Sequence, residues 1–223
     1  MMGAVFFEEK RGEDARMKMV YTGFAPFDGE EINPSYLAVS ALPKEICGAQ
    51  VICRELPTAF DSAAEELLSL IKEEKPDVVI ATGQAGGRAE ISLEYVAINH
   101  RHARIPDNEG KKPEDSPILP GEAAAYFSLL PLRSIEKRCK EEGIPAFLSY
   151  SAGTYVCNEV MYRLLHFREK EGLRFLGGFI HVPYCLAQVA RMQKPAPSMD
   201  LSVMTRALMI AGEEALKAAR QRS

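Results

Sequence analysis

The chain has 223 residues, 47% apolar and 26% charged, with a formal net charge of -4. That length and balance suit one globular domain able to bury its own core, and the mildly acidic charge gives no electrostatic footing for nucleic acid or an anionic membrane. No apolar run reaches the roughly 20 residues of a membrane span, and five irregularly spaced cysteines without a CxxC pair argue against a disulfide framework or a zinc knuckle and read as reduced thiols of a cytoplasmic protein.

Residues 1–18 read as a flexible N-terminal extension, because the apolar piece 4–7 is too short for a signal-peptide core and is followed by charges. Met17 or Met19 is an alternative start, and 19–223 form the folded domain. Residues 19–22 lead into Gly23 as a buried first strand. Asn33 is placed to cap a short helix over 35–42, with Pro34 at its start and Pro43 at its end. Residues 50–56 are a strand ended by Pro57. Asp61 is expected to cap the amphipathic helix SAAEELLSLIKEE, which Pro76 closes. A short apolar strand over 78–81 ends at Gly83, and 93–98 reads as another. The stretch 104–121, rich in Pro, Asp, Glu, Gly and Lys, is a long surface loop of a kind that often carries function. Helices over 123–130 and 132–142 flank Pro131. A strand over 146–149, a helix over 156–167, a strand over 175–182 and an amphipathic helix over 201–219 complete the chain. The alternation predicts an α/β fold with a mainly parallel or mixed sheet covered on both faces, and a site at the carboxyl ends of its strands.

Cys157 follows a strand and the small-residue turn Ser151, Ala152 and Gly153, and lies where a helix begins. A thiol in a first helical turn feels the positive end of the macrodipole, which favours the thiolate; the other reading is a buried structural cysteine. The remaining four cysteines lack this setting. His181 ends an apolar strand, where it is either the base that a cysteine nucleophile needs or a core histidine bonded to a carbonyl. Glu94 is a lone carboxylate in an apolar strand, the best candidate to orient an imidazole; Glu90 competes by proximity, and an outward-facing position is the alternative. His100 and His102 resemble half a metal site without a third ligand, so no metal is expected. GQAGGR at 83–88 has neither the phosphate-loop ending nor the dinucleotide spacing. Phe24 and Phe27 put two rings in a loop at a strand end, where they either pack or bind.

In order along the chain, TGFAPFDGEEINPS, GQAGGR, IxxExVAIN (here ISLEYVAIN), ARIPDNEG, SAGTYVCN and GGFIHVPY closely resemble the pyroglutamyl peptidase I, or pyrrolidone carboxyl peptidase, family of cysteine peptidases. The resemblance runs from about Val20 to the final helix, leaving the extension outside. It implies a single-domain α/β/α sandwich, a Glu94–Cys157–His181 triad and no cofactor. It places Phe24, Phe27, Asn33, Gln84 and Tyr155 in the substrate pocket and Arg104 near the oxyanion. Tyr155 departs from the phenylalanine that the family often has before its nucleophile. The implied substrates are peptides with an N-terminal pyroglutamyl residue, and the implied assembly is a homo-oligomer, dimer or tetramer. Two rivals stay open: a cysteine amidase for another small lactam or amide, and a binding protein that keeps the fold without turnover.

Overall fold

The structure, a computed structural model, describes residues 16–222. Most of the expected extension, residues 1–15, lies outside the described residues. Strand β1 (Lys18–Phe24) is buried along nearly its whole length, as a central strand covered on both faces must be. Helix α1 (Pro34–Ser40) begins as expected: the Asn33 side chain accepts from Ser35 N at 3.1 Å. A hairpin that the sequence did not announce, β2 (Glu45–Ile46) with β3 (Ala49–Leu56), turns at Cys47 and Gly48, both with positive φ, as a two-residue hairpin turn demands. Helix α2 (Ser62–Glu74) has the expected bounds. Its N-cap Asp61 does not cap with its side chain; at φ 64° the carboxylate turns to Arg101 and Lys111, at 3.3 and 3.4 Å. Full charges outcompeted a neutral N–H.

Strand β4 (Val78–Gln84) runs three residues beyond its expected end at Ala81. The single strand expected over 93–98 is two: β5 (Ile91–Glu94) belongs to the central sheet, and β6 (Val96–Ile98) pairs antiparallel with β7 (Ala125–Phe127). This overturns the helix expected over 123–130. The alternating burial of β7, with Tyr126 inside and Phe127 58% exposed, is a strand's period of two. Tyr126 packs on Tyr162 at 5.1 Å, a tertiary contact that outweighs the helix propensity of a run of alanines. Helix α3 (Leu132–Glu141), strand β8 (Ala146–Ser149), helix α4 (Val156–Lys170) and strand β9 (Leu176–Val182) follow close to expectation. Two short strands, β10 (Tyr184–Cys185) and β11 (Ser198–Met199), pair around the one-turn helix α5 (Leu186–Val189) before α6 (Leu201–Arg220).

The seven-stranded sheet has the order β2-β3-β1-β4-β9-β5-β8. Strands β3, β1, β4 and β9 are mutually parallel, while β5 runs against β9 and takes β8 with it. Alternate side chains feed two cores. Tyr21, Ile80 and Ile180 pack with α1, α3 and α6; Val20, Val79 and Phe179 pack with α2 and α4. The result is the mixed, mainly parallel three-layer α/β/α sandwich. Gly212 lets α6 sit close: a Cβ there would lie 2.0 Å from the Tyr21 hydroxyl, which donates to Leu208 O at 3.0 Å.

Candidate active site

The strand-turn-helix reading at Cys157 is reproduced. Beyond β8 the chain turns at Gly153 (φ 81°) and enters α4, of which Cys157 is the second residue. Thr154 Oγ1 donates to His102 O at 2.9 Å, and His102 N donates back to Thr154 O at 3.0 Å. Asn158, buried beside the thiol residue, donates to Ile98 O and His100 O and accepts from Ile98 N. These bonds fasten the start of α4 to β6 and to the segment that follows it. The N-cap residue Tyr155 gives the first turn no side-chain acceptor, so the positive helix end faces the thiol uncapped by it. Gly83 makes the approach possible: a Cβ there would lie 2.8 Å from Cys157 Sγ and 2.9 Å from the Phe179 ring.

His181 sits on β9 directly beside Gly83 of β4 and opposite Ser92 of β5. Because β5 is antiparallel to β9, Glu94 faces Phe179, two residues along the same face from His181. That diagonal brings His181 Nδ1 to Glu94 Oε1 at 2.8 Å. With Nδ1 engaged, the other ring nitrogen is left for the Cys157 side chain, which lines the same cavity as His181. Burial alone would lower the imidazole pKa; the neighbouring Cys157 and Glu94 outweigh it and raise it from 6.5 to about 9. The imidazolium form of His181 is the one that this arrangement favours.

Glu94 is fully buried. Its Oε1 also receives Arg88 Nη1 at 2.9 Å, while Oε2 has no hydrogen-bond partner among the described residues. An ionised carboxylate in that position needs both cationic neighbours. Arg88 closes the GQAGGR run; the sequence reading gave it no role, although a lone arginine six residues before a lone strand carboxylate was a usable signal. The competitor Glu90 is exposed.

A cavity of about 270 Å³ opens at the thiol, lined by Cys157, His181 and Arg88 and by five expected pocket residues, Phe24, Phe27, Asn33, Gln84 and Tyr155. The sixth, Arg104, is exposed and is not among the lining residues. Its loop does reach the site: Tyr155 donates to Pro106 O at 3.1 Å, and Asn108 Nδ2 donates to Pro26 O at 2.8 Å. Burial, with Asp107 and Cys157 nearby, pushes the Tyr155 phenol up to about 12, so it stays neutral. Tyr155 packs on Phe27 at 6.2 Å and edge-on to Phe60 at 5.3 Å. Asn33 Nδ2 donates to Ala25 O at 3.2 Å, and its Oδ1 accepts from Ser35 N and Oγ; it shapes the phenylalanine loop as well as lining the cavity. His100 and His102 each meet Asp115 at 3.2 Å, away from the cavity.

The family model described as pyroglutamyl peptidase matches residues 17–218. The pyrrolidone-carboxylate peptidase of Thermococcus onnurineus is 50% identical over 202 residues, covering 91% of this chain and all of that one. The crystal structure of Bacillus amyloliquefaciens pyroglutamyl peptidase I is similar with a TM-score of 0.87 and 43% identity, over 92% of this chain and 98% of the other. The pyrrolidone carboxyl peptidase of Pyrococcus furiosus gives a TM-score of 0.88 and 46% identity, over 91% and 100%.

Proposed function

The chain belongs to the pyroglutamyl peptidase family, and from that premise we propose that Cys157, His181 and Glu94 carry out its reaction. That reaction is the cysteine-type hydrolysis of the bond after an N-terminal pyroglutamyl residue. The observation that carries the assignment is the 2.8 Å bond between His181 Nδ1 and the buried Glu94, with His181 and Cys157 lining one cavity together with aromatic rings.

The Cys157 thiolate attacks the carbonyl carbon between pyroglutamate and the next residue. The oxygen that becomes negative is met by backbone N–H groups at the start of α4. The imidazolium of His181 gives its proton to the departing amine, the C–N bond breaks and a thioester remains. Neutral His181 then takes a proton from water, whose oxygen attacks the thioester; pyroglutamate leaves and the thiolate–imidazolium pair is restored. Glu94 keeps Nδ1 protonated and the ring in plane, and Arg88 holds Glu94. Every proton and electron pair in this cycle belongs to these side chains, substrate or water.

The cavity suits the substrate by polarity. A pyroglutamyl group is a flat neutral lactam, suited to the rings of Phe24, Phe27 and Tyr155. A free ammonium would be desolvated there at considerable cost. Peptides bearing an N-terminal pyroglutamate are the proposed partners, and a cytoplasmic setting is supported by five free cysteines. Resemblance to the family supports a homo-oligomer, which sedimentation would test. The deciding experiment is release of a fluorescent amine from its pyroglutamyl amide, with the prolyl amide alongside. Cleavage of the first alone is expected. Cleavage of neither by folded, reduced protein would overturn the assignment in favour of another amide or of binding without turnover.

A further inference from the structure

Gln84, on the cavity wall, meets a second glutamine behind it: Gln188 Nε2 donates to Gln84 Oε1 at 2.9 Å. The backbone fixes which way each amide lies. Gln188 Oε1 accepts from Cys185 N at 3.1 Å, and Gln188 Nε2 donates to Ile32 O at 3.4 Å. A backbone N–H only donates and a backbone carbonyl only accepts. Gln188 must therefore hold its nitrogen toward Gln84, and Gln84 must answer with its oxygen. Gln188 is only 3% exposed, so bulk water does not compete for these bonds.

We propose that Gln188 is a specificity-positioning residue: by engaging the oxygen of Gln84, it leaves the Gln84 amide N–H2 group to be offered to the lactam carbonyl of the substrate. The proposal rests on reading the cavity as a pyroglutamyl pocket. A pocket wall that offers a donor in a fixed orientation accepts a ring carbonyl and rejects a ring lacking one. An unanchored amide would present oxygen or nitrogen with similar ease.

Gln188 also has a local role, since its Oε1 completes a capping box for α5. That role uses the oxygen alone, and glutamate performs it equally well. Donation to Gln84 uses the nitrogen, which glutamate lacks. Gln188→Glu therefore separates the two roles. At neutral pH the introduced carboxylate keeps the cap but draws the N–H2 of Gln84 toward itself, turning Gln84 oxygen against the lactam carbonyl.

The test is steady-state kinetics on a pyroglutamyl amide, normalised by active-site titration, with 2-pyrrolidinone as a non-cleavable lactam inhibitor. For Gln188→Glu, KM and the inhibition constant for pyrrolidinone should both rise by at least about tenfold with kcat little changed, as expected when a binding contact is replaced by an unpaired one. Gln188→Met, uncharged and of similar volume, should give a smaller rise of about threefold in both and serves if the glutamate variant does not fold. Unchanged KM and inhibition in a folded variant, or a fall in kcat alone, would overturn the proposal and leave Gln188 a helix cap. A wild type inactive on the pyroglutamyl amide would instead overturn the pocket reading, and this proposal with it.

Discussion

The proposed catalytic groups and the proposed pocket groups are held in different ways. His181 and Glu94 stand inside neighbouring strands of the central sheet, and Cys157 stands in the first turn of a 15-residue helix packed on that sheet. The proposed substrate wall is mostly loop. Phe27 and Asn33 lie between β1 and α1, and Tyr155 precedes α4. This wall is laced by single bonds from side chain to backbone, such as Tyr155 to Pro106 and Asn108 to Pro26. Asp107 tightens its own loop by accepting from Phe60, Glu109 and Lys111 N–H groups. Chemistry is sensitive to sub-ångström placement and sits on elements with many backbone bonds. Recognition tolerates more movement and sits on segments that exchange with solvent more freely.

Substitutions should expose this difference, kcat falling on the sheet side and KM rising on the loop side. Cys157→Ala removes the attacking atom, and turnover of the pyroglutamyl amide should fall by at least about 10⁴-fold with the fold intact by circular dichroism. Residual activity near wild type would remove Cys157 from the mechanism.

Glu94→Gln should cost about 10³-fold in kcat, since orientation and charge are lost but no bond-making atom is. Its pH behaviour is equally informative. The His181 pKa is raised from 6.5 to about 9, so the alkaline limb of kcat/KM should lie near pH 9 in the wild type and shift downward in this variant. Because the folded value exceeds the unfolded one, the interaction stabilises the fold fully below about pH 6.5 and is lost as pH rises through about 9. A limb that does not move in Glu94→Gln would break the assignment of Glu94 as the imidazole's partner.

Gly83→Ala is a subtler probe of the sheet side. The new methyl would lie 2.8 Å from Cys157 Sγ and 2.9 Å from the Phe179 ring, so the thiol must shift from its place in the site unless the ring gives way. The expected loss is about 10²-fold in kcat, with slowed iodoacetamide labelling of Cys157. Unchanged labelling would mean that the methyl is accommodated elsewhere. On the loop side, Asn108→Ala should raise KM by about twofold to fivefold at nearly constant kcat, the scale of one partly exposed hydrogen bond. A kcat effect there would blur the division between the two regions.

The parts legible in the sequence share a short-range origin. Strands β1, β4 and β9 read as apolar runs, Asn33 and Pro34 marked the start of α1, and the turn before Cys157 marked the strand-to-helix junction. The motifs singled out Cys157, His181 and Glu94, which the fold brings together, and five of the residues that line the cavity beside them; Arg104, also expected there, lies outside the lining. What was misread involves competition between local preference and distant partners. Asp61 had the composition of a cap but found Arg101, and residues 125–127 had helix formers but found β6.

By itself, then, the sequence determined which residues are chemically able and which segments bury, because periodicity and turn chemistry act over a few neighbours along the chain. Only the tertiary structure decided who faces whom. Glu94 reaches His181 across 87 positions, and Gln188 reaches Gln84 across 104. Those meetings depend on the antiparallel register of β5 against β9 and on the meeting of α5 with the end of β4. Register and layer packing are outcomes of the whole core, so the places of Arg88 and Gln188 follow from that core rather than from their neighbours along the chain.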